Sequence, residues 1–175
     1  LAGSKPADAA AMTGHLIRYL RAAVPASQDG GGTIGSEIDS VRAYLELMKI
    51  RMGPRLEASC ELAPALAGVP LAPLLLHTLV ENAIKHGIEP KAGPVRLCVS
   101  ARLDPDAPEM LLLDVRDTGV GLQAAPATRG GGMGLRSVRE RLAQQYGEQA
   151  RLSVAGMPGG GVLARISLPF SAAAA

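Results

Sequence analysis

Three short runs along the chain carry residues able to do chemistry on a charged, flat ligand. Glu81-Asn82-Ala83-Ile84-Lys85-His86-Gly87 offers a carboxamide with a cation three residues on and an imidazole four residues on. Asp117-Thr118-Gly119-Val120-Gly121 sets a lone carboxylate inside a glycine turn, and Gly130-Gly131-Gly132-Met133-Gly134-Leu135 leads into a helix-forming stretch. Magnesium takes hard oxygen ligands and keeps several waters, so the amide oxygen of Asn82 together with phosphate oxygens would satisfy it. Lys85 would meet a phosphate as a point charge, and His86 would lie against a base or ribose. A helix start with free amides and a favourable dipole would take a further phosphate at the glycine run, with Arg129 and Arg136 as candidate contacts and Arg139 and Arg141 on the solvated face.

Each run also has a plainer reading. An Asn with Lys and His beyond it is ordinarily a solvated helix face, an Asp-Thr-Gly after a strand ordinarily caps its own turn, and a glycine run is ordinarily a linker. Alternation along Leu111 to Asp117 tips the second case, because it puts Leu113, Val115 and Asp117 on one side, so the carboxylate follows two core residues inward. A buried carboxylate needs a partner, and the exocyclic amino group of adenine is a donor that would supply one. Gly119 and Gly121 permit a sharp turn and the close approach of a flat ligand.

The elements that must hold these residues follow from the patterning. Apolar residues Met12, Leu16, Leu20 and Val24 share a helix face until Pro25, and Ser36 with Asp39 reads as the capping box of a second helix ending at Gly53-Pro54. The seam Ile38, Val41, Leu45, Met48 and Met52 of that helix, spaced 3 and 4, suits either packing on its own domain or a dimer-facing role. A strand is expected from Leu56 to Leu62, then one long helix over Leu71 to Ile88 with Pro73 in its first turn. Val95 to Leu103 and Met110 to Asp117 make a hairpin, Leu135 to Tyr146 a helix stopped by Gly147, and Arg151 to Ala155 with Val162 to Leu168 a last hairpin. The stretch Gly130 to Gly134 itself reads as too flexible to be an element. The order β-α-β-β-α-β-β predicts an α/β fold, a two-layer sandwich of a mixed sheet covered by helices on one face, with a helical arm before it.

Composition removes several classes. A chain of 175 residues supports one domain with a sizeable core, built here from aliphatic side chains, since 47% of residues are hydrophobic and only 2% aromatic. Without aromatic platforms, and with 18 basic residues scattered among 16 acidic ones, a nucleic-acid partner is not expected. Cys60 and Cys98 lack metal-ligand spacing and are expected as buried free thiols in a reducing compartment. No uncharged apolar stretch approaches 18 residues, and a chain that begins with Leu1 is expected to be part of something longer.

Asn82-Ala83-x-Lys85-His86, Asp117-x-Gly119-x-Gly121 and Gly132-x-Gly134-Leu135 resemble, in order and spacing, the N, G1 and G2 boxes of the Bergerat-type ATP-binding fold of histidine kinases, gyrase-type ATPases and heat-shock chaperones. Val41 to Glu46 with Arg51, Leu74 to Gly87, and Gly134 to Leu142 more narrowly resemble the LytS-like bacterial sensor kinases. The resemblance implies the ATP-binding catalytic domain of a two-component sensor histidine kinase, with ATP and magnesium as cofactors, that delivers the γ-phosphoryl group to a histidine upstream. It implies Asn82 as metal ligand, Lys85 on phosphate, His86 on the base, Asp117 reading adenine, and Gly119, Gly121, Gly130, Gly132, Gly134 and Leu135 around the nucleotide. Glu81 would be a base beside the metal ligand, and Leu122 to Arg129 an ATP lid. The implied organisation is a helical arm over residues 1–53 left from dimerisation and phosphotransfer helices, a catalytic domain over 54–170, and a tail over 171–175. The implied setting is the cytoplasmic side of an inner-membrane-anchored bacterial homodimer, joined to the membrane only through upstream segments and serving a LytTR-type response regulator. Two departures stand out: no Asn-Pro-His-Phe-type phosphoacceptor run is present, so this stretch should not autophosphorylate, and Val162 stands where many relatives have Thr. A non-catalytic nucleotide-binding or dimerisation module and a gyrase- or chaperone-type ATPase are the alternatives. The last would want a glutamate where Thr78 stands.

Overall fold

The computed structural model describes residues 32–122 and 131–170. The expected first helix, most of the lid segment, Arg129, Gly130 and the tail lie outside these residues. Helix α1 (Ile34–Met52) leads into strand β1 (Leu56–Leu62). Helix α2 (Leu75–Asn82) continues as a π-helical turn over Ala83–Ile88. Strands β2 (Val95–Leu103) and β3 (Met110–Asp117) precede helix α3 (Gly131–Tyr146), and β4 (Arg151–Gly156) and β5 (Val162–Pro169) close the chain.

The strands form one sheet in the order β1-β2-β3-β5-β4, with β1 parallel to β2 and every other pair antiparallel. The parallel pair requires a crossover, and α2 supplies it. Pleating sorts each strand into two faces. Leu97, Leu113, Val115 and Ile166 point to the helices and are at most 1% exposed, packed with Ile38, Leu75, Leu79, Val138 and Leu142 in a single core. The expected two-layer sandwich is therefore the fold, and the seam of α1 belongs to it: Ile38, Val41, Leu45 and Met48 are buried among the core residues.

Four expectations need correction. The α1 N-cap is Thr33, paired reciprocally with Ser36, one turn before the expected box, because Ile34 is already buried and helical. Leu71 to Ile88 is not one α-helix: Leu74 takes a left-handed conformation at φ 64°, so Pro73 precedes the helix rather than lying in its first turn. Of the glycine run expected to lack structure, Gly131 to Gly134 form the first turn of α3, which starts at Gly131 instead of Leu135. Cys60 and Cys98 are free but half-buried, and they lie on opposite faces of the sheet: Cys60 pairs across with Val99 on the core side and Cys98 with Arg116 on the outer side. Burial pushes the Cys60 thiol up to about 11, leaving it protonated and inert at neutral pH.

Candidate functional site

One cleft, about 760 Å³ when measured out to open solvent, lies between the end of α2, the start of α3 and the core side of β3 and β5. Asn82, His86, Asp117, Gly121 and Leu135 line it, so residues from all three sequence runs meet in one place. Leu79, Ala83, Val115, Val154, Val162 and Ala164 give it an otherwise apolar wall. Ala83 and Val162 fall within or beside the runs that carry the resemblance, but the types of Leu79, Val115, Val154 and Ala164 do not mark them as lining a cavity.

Asn82 sits in the last turn of α2, and its Nδ2 donates to the Thr78 carbonyl at 2.8 Å. That bond commits the amide nitrogen to the helix and leaves the oxygen as the group Asn82 can offer a ligand. Gly134 at the start of α3 lies against it, and a Cβ there would stand 2.8 Å from Asn82 Nδ2 and 3.4 Å from Thr78 Cγ2. Glycine is what lets the first turn of α3 come this close. The π turn then changes which residues stay in line with Asn82. Four-residue spacing keeps His86 in the cleft, whereas Lys85, expected on the same face, is carried further round by the wider turn; it is exposed and absent from the lining. Glu81 is exposed as well, and its Oε1 faces His77 Nε2 at 3.1 Å rather than the cleft. Arg136, a candidate phosphate contact, pairs with Glu140 at 2.8 Å, and Arg141 donates to the Pro73 carbonyl at 3.0 Å, tying α3 to the loop before α2.

Asp117 is 3% exposed at the end of β3. Its Oδ1 accepts from the Gly119 amide at 2.7 Å, and the Val162 amide donates to the carboxylate too. Burial pushes its pKa up, against the pull of these two amides and of the Lys91 charge. A carboxylate has about four lone-pair positions, so two amides leave acceptor capacity facing the cleft. Gly87 and Gly119 make this geometry possible. A Cβ on Gly87 would lie 2.8 Å from Asp117 Oδ1, and one on Gly119 would lie 2.3 Å from the Gly87 carbonyl. Gly161, at φ 89°, packs its Cα on the Asp117 carbonyl, where a Cβ would come within 2.0 Å. In the sequence Gly161 is only part of the turn of the last hairpin and Gly87 carries no role of its own, because only the fold shows what each glycine lies against.

Fold and site together define a nucleotide-binding α/β domain. A family model described as histidine kinase-, DNA gyrase B- and HSP90-like ATPase matches residues 72–172, and a histidine kinase model matches residues 1–56. The chain belongs to this ATPase family, as an ATP-binding catalytic domain of the sensor-kinase type. It is 33% identical over 138 residues to the sensor histidine kinase BtsS of Escherichia coli strain K12, covering 79% of this chain and 24% of that protein. It is 25% identical to the sensor protein LytS of Enterococcus faecalis, covering 89% and 28%. The chain thus spans about a quarter of the length of these relatives. Among solved structures, the catalytic domain of histidine kinase ThkA in a nucleotide-free form superposes with a TM-score of 0.58 at 16% identity, covering 79% of this chain and 95% of that one. The histidine kinase domain of a blue-light-activated kinase from Erythrobacter litoralis gives a TM-score of 0.56 at 16% identity, covering 97% and 77%. These structural likenesses bear on the fold.

Proposed function

We propose that the chain binds ATP with magnesium and, within a longer two-component sensor kinase, passes the γ-phosphoryl group to a histidine upstream of the catalytic domain. The observation that carries this is the placement of Asn82 and Asp117 in the wall of one cleft, one offering an amide oxygen and the other a buried carboxylate. Magnesium suits the donor set: among the described residues no group of three His, Cys, Asp or Glu side chains could cage a metal, and Asn82 offers one hard oxygen. That fits an ion which completes its octahedron from phosphate oxygens and water. Bound there, the ion would neutralise charge on the phosphates.

The chain's own residues divide the work by chemistry. Asp117 would accept a hydrogen bond from the adenine amino group, the apolar wall around Val115 and Val162 would sandwich the ring, and His86 would close over base or ribose. The start of α3, with Gly132, Gly134 and Leu135, would present free amides to phosphate. Lys85 and Glu81 would act from the rim, Lys85 as a charge on phosphate and Glu81 as a base, after rotamer changes that bring them toward the ligand. Val162 contributes its backbone amide to Asp117 but no hydroxyl. Activity as a homodimer and a LytTR-type response regulator as acceptor beyond the histidine belong to the same reading, as does attachment to the inner membrane through upstream segments. Among the described residues no helix is long and apolar enough to cross a membrane.

Calorimetric titration with ATP and GTP, with and without magnesium, tests the reading. Tight binding that requires both adenine and magnesium supports it, and indifference to base or metal removes it. Phosphotransfer is tested by joining the segment that precedes this stretch in the whole protein and following labelled phosphate to a histidine. A chain that binds ATP yet labels no histidine would be a binding module.

A further inference from the structure

The helix bearing Asn82 and His86 is poorly terminated by its own sequence. Its start has a non-glycine residue, Leu74, in the left-handed region at φ 64°, and no side chain of its own caps the first turn. Its end loosens into a π turn over Ala83–Ile88. Both ends are completed from elsewhere. Glu37 of α1, 5% exposed, reaches across with its carboxylate. Oε1 accepts from the Leu74 amide at 2.7 Å, and Oε2 from the Leu76 and His77 amides at 3.1 and 3.4 Å. Arg55, in the turn after α1, donates to the Ile88 carbonyl at 2.6 Å, the Gly93 carbonyl at 2.9 Å, the Glu89 carbonyl at 3.3 Å and the Lys91 carbonyl. An anion at the amide end and a cation at the carbonyl end both complement the helix dipole.

The two ends serve different ends of the cleft. The Glu37-capped start holds Thr78 one turn on, and the Thr78 carbonyl in turn fixes the Asn82 amide in the last turn of α2, where the glycine start of α3 rests on both side chains. The Arg55 end carries His86 and Gly87, and Gly87 lies directly under the Asp117 carboxylate. A second link from α1 falls at the Glu37 end, where Tyr44 meets the His77 ring edge-on at 5.1 Å between centroids.

We propose that Glu37 and Arg55 are positioning residues of the nucleotide site, Glu37 setting the metal and phosphate end and Arg55 setting the base end. Neither touches ligand, and the proposal rests on the nucleotide reading above. A pair that merely held the fold together would, on removal, loosen the whole cleft alike. Separate positioning gives a split.

The test is calorimetric titration of the chain with MgATP, metal-free ATP and MgGTP, for the wild type, Glu37→Gln and Arg55→Gln, with thermal melts to establish folding. Glu37→Gln is expected to weaken MgATP roughly fivefold, what a lost helix cap costs. The deficit should largely vanish without magnesium, and the ATP-to-GTP ratio should be unchanged. Arg55→Gln is expected to narrow the ATP-to-GTP ratio by a similar factor while keeping the gain from magnesium. Should either variant fail to fold, Glu37→Asp, whose carboxylate is one methylene short, and Arg55→Lys carry the same split at smaller size. Equal losses in magnesium dependence and base preference, or no loss in either, overturn the proposal. A wild type that does not bind ATP overturns the nucleotide reading and this proposal with it, whereas wild-type binding without the split overturns this proposal alone.

Discussion

Two aspartates three residues apart on β3 face opposite sides of the same sheet and meet opposite fates. Asp114 points outward yet is 0% exposed, because Arg165 from β5 lies directly across the ladder and grips it with Nε to Oδ1 at 2.6 Å and Nη2 to Oδ2 at 2.7 Å. Arg116 and Arg102 approach Oδ2 at 3.2 and 3.5 Å. Burial alone would push its pKa up, but the hydrogen bond and charge of Arg165, then Arg116 and Arg102, outweigh it and hold the carboxyl below the usual range. Asp117 has Val162 across the ladder instead, takes two backbone amides, and has its pKa raised by burial. Burial is common to both, so partners decide. The outer carboxylate is satisfied within the chain and serves the fold, while the inner one keeps acceptor capacity over an apolar cleft and serves a ligand.

The sharpest way to break this contrast is to remove the outer acid. Asp114→Ala leaves three arginines over the outer face of the sheet and is expected to cost about 3 kcal/mol of stability, at the low end for breaking a buried ion pair because the arginines remain partly solvated. Denaturant unfolding measures it, and ATP affinity of the folded variant should be unchanged. The inner acid should behave the other way. Asp117→Asn is expected to weaken ATP by about 2 kcal/mol, the size of a hydrogen bond to a charged group, while free tripolyphosphate binds as before. Its cost in stability without ligand should be about 1 kcal/mol, well below that of Asp114→Ala, because relief of the buried charge offsets part of the lost amide bonding. Equal losses for both ligands would end the role of Asp117 in reading the base. Gly87→Ala sets a methyl 2.8 Å from Asp117 Oδ1 and should cost about 1–2 kcal/mol of stability together with ATP affinity, since the carboxylate itself must move.

The smallest effects lie in pH. Asp114, with a folded pKa below that of the unfolded chain, contributes stability that is fully present above the unfolded value, about 3.9, and disappears as pH falls through the folded value. Asp117 carries the opposite sign: its folded pKa is raised, so its contribution is present at low pH and is lost as pH climbs through the folded value. Acid unfolding of Asp114→Asn should therefore be shallower than wild type and that of Asp117→Asn steeper. ATP affinity should also decline as pH falls through the raised Asp117 value, and the wild-type excess of that decline over Asp117→Asn isolates this residue.

Much of this was legible before any coordinates. Period-two and period-four patterning placed β2 and β3 to the residue, and alternation along Leu113, Val115 and Asp117 correctly turned the acid inward. The same alternation put Asp114 on the outer side, where its burial depends on Arg165, 51 positions away, which no local pattern announces. The missed start of α2 has a like cause. Leu74 adopts a left-handed conformation that sequence rules discourage for leucine, and it is sustained by Glu37 from another helix. Lys85 left the expected face because a π turn, invisible to a fixed 3.6-residue period, intervenes after Asn82.

By itself the sequence determined which residue types are present, in what order, and which strand face each occupies, because those depend on neighbours within a few positions. It carried the family in three spaced boxes. Tertiary structure alone decided that Gly87 lies beneath Asp117, that Gly134 rests on Asn82, and that Glu37 and Arg55 finish a helix they do not belong to. Those contacts join positions remote along the chain, and their energies come from close approach and desolvation, which exist only once the layers have packed.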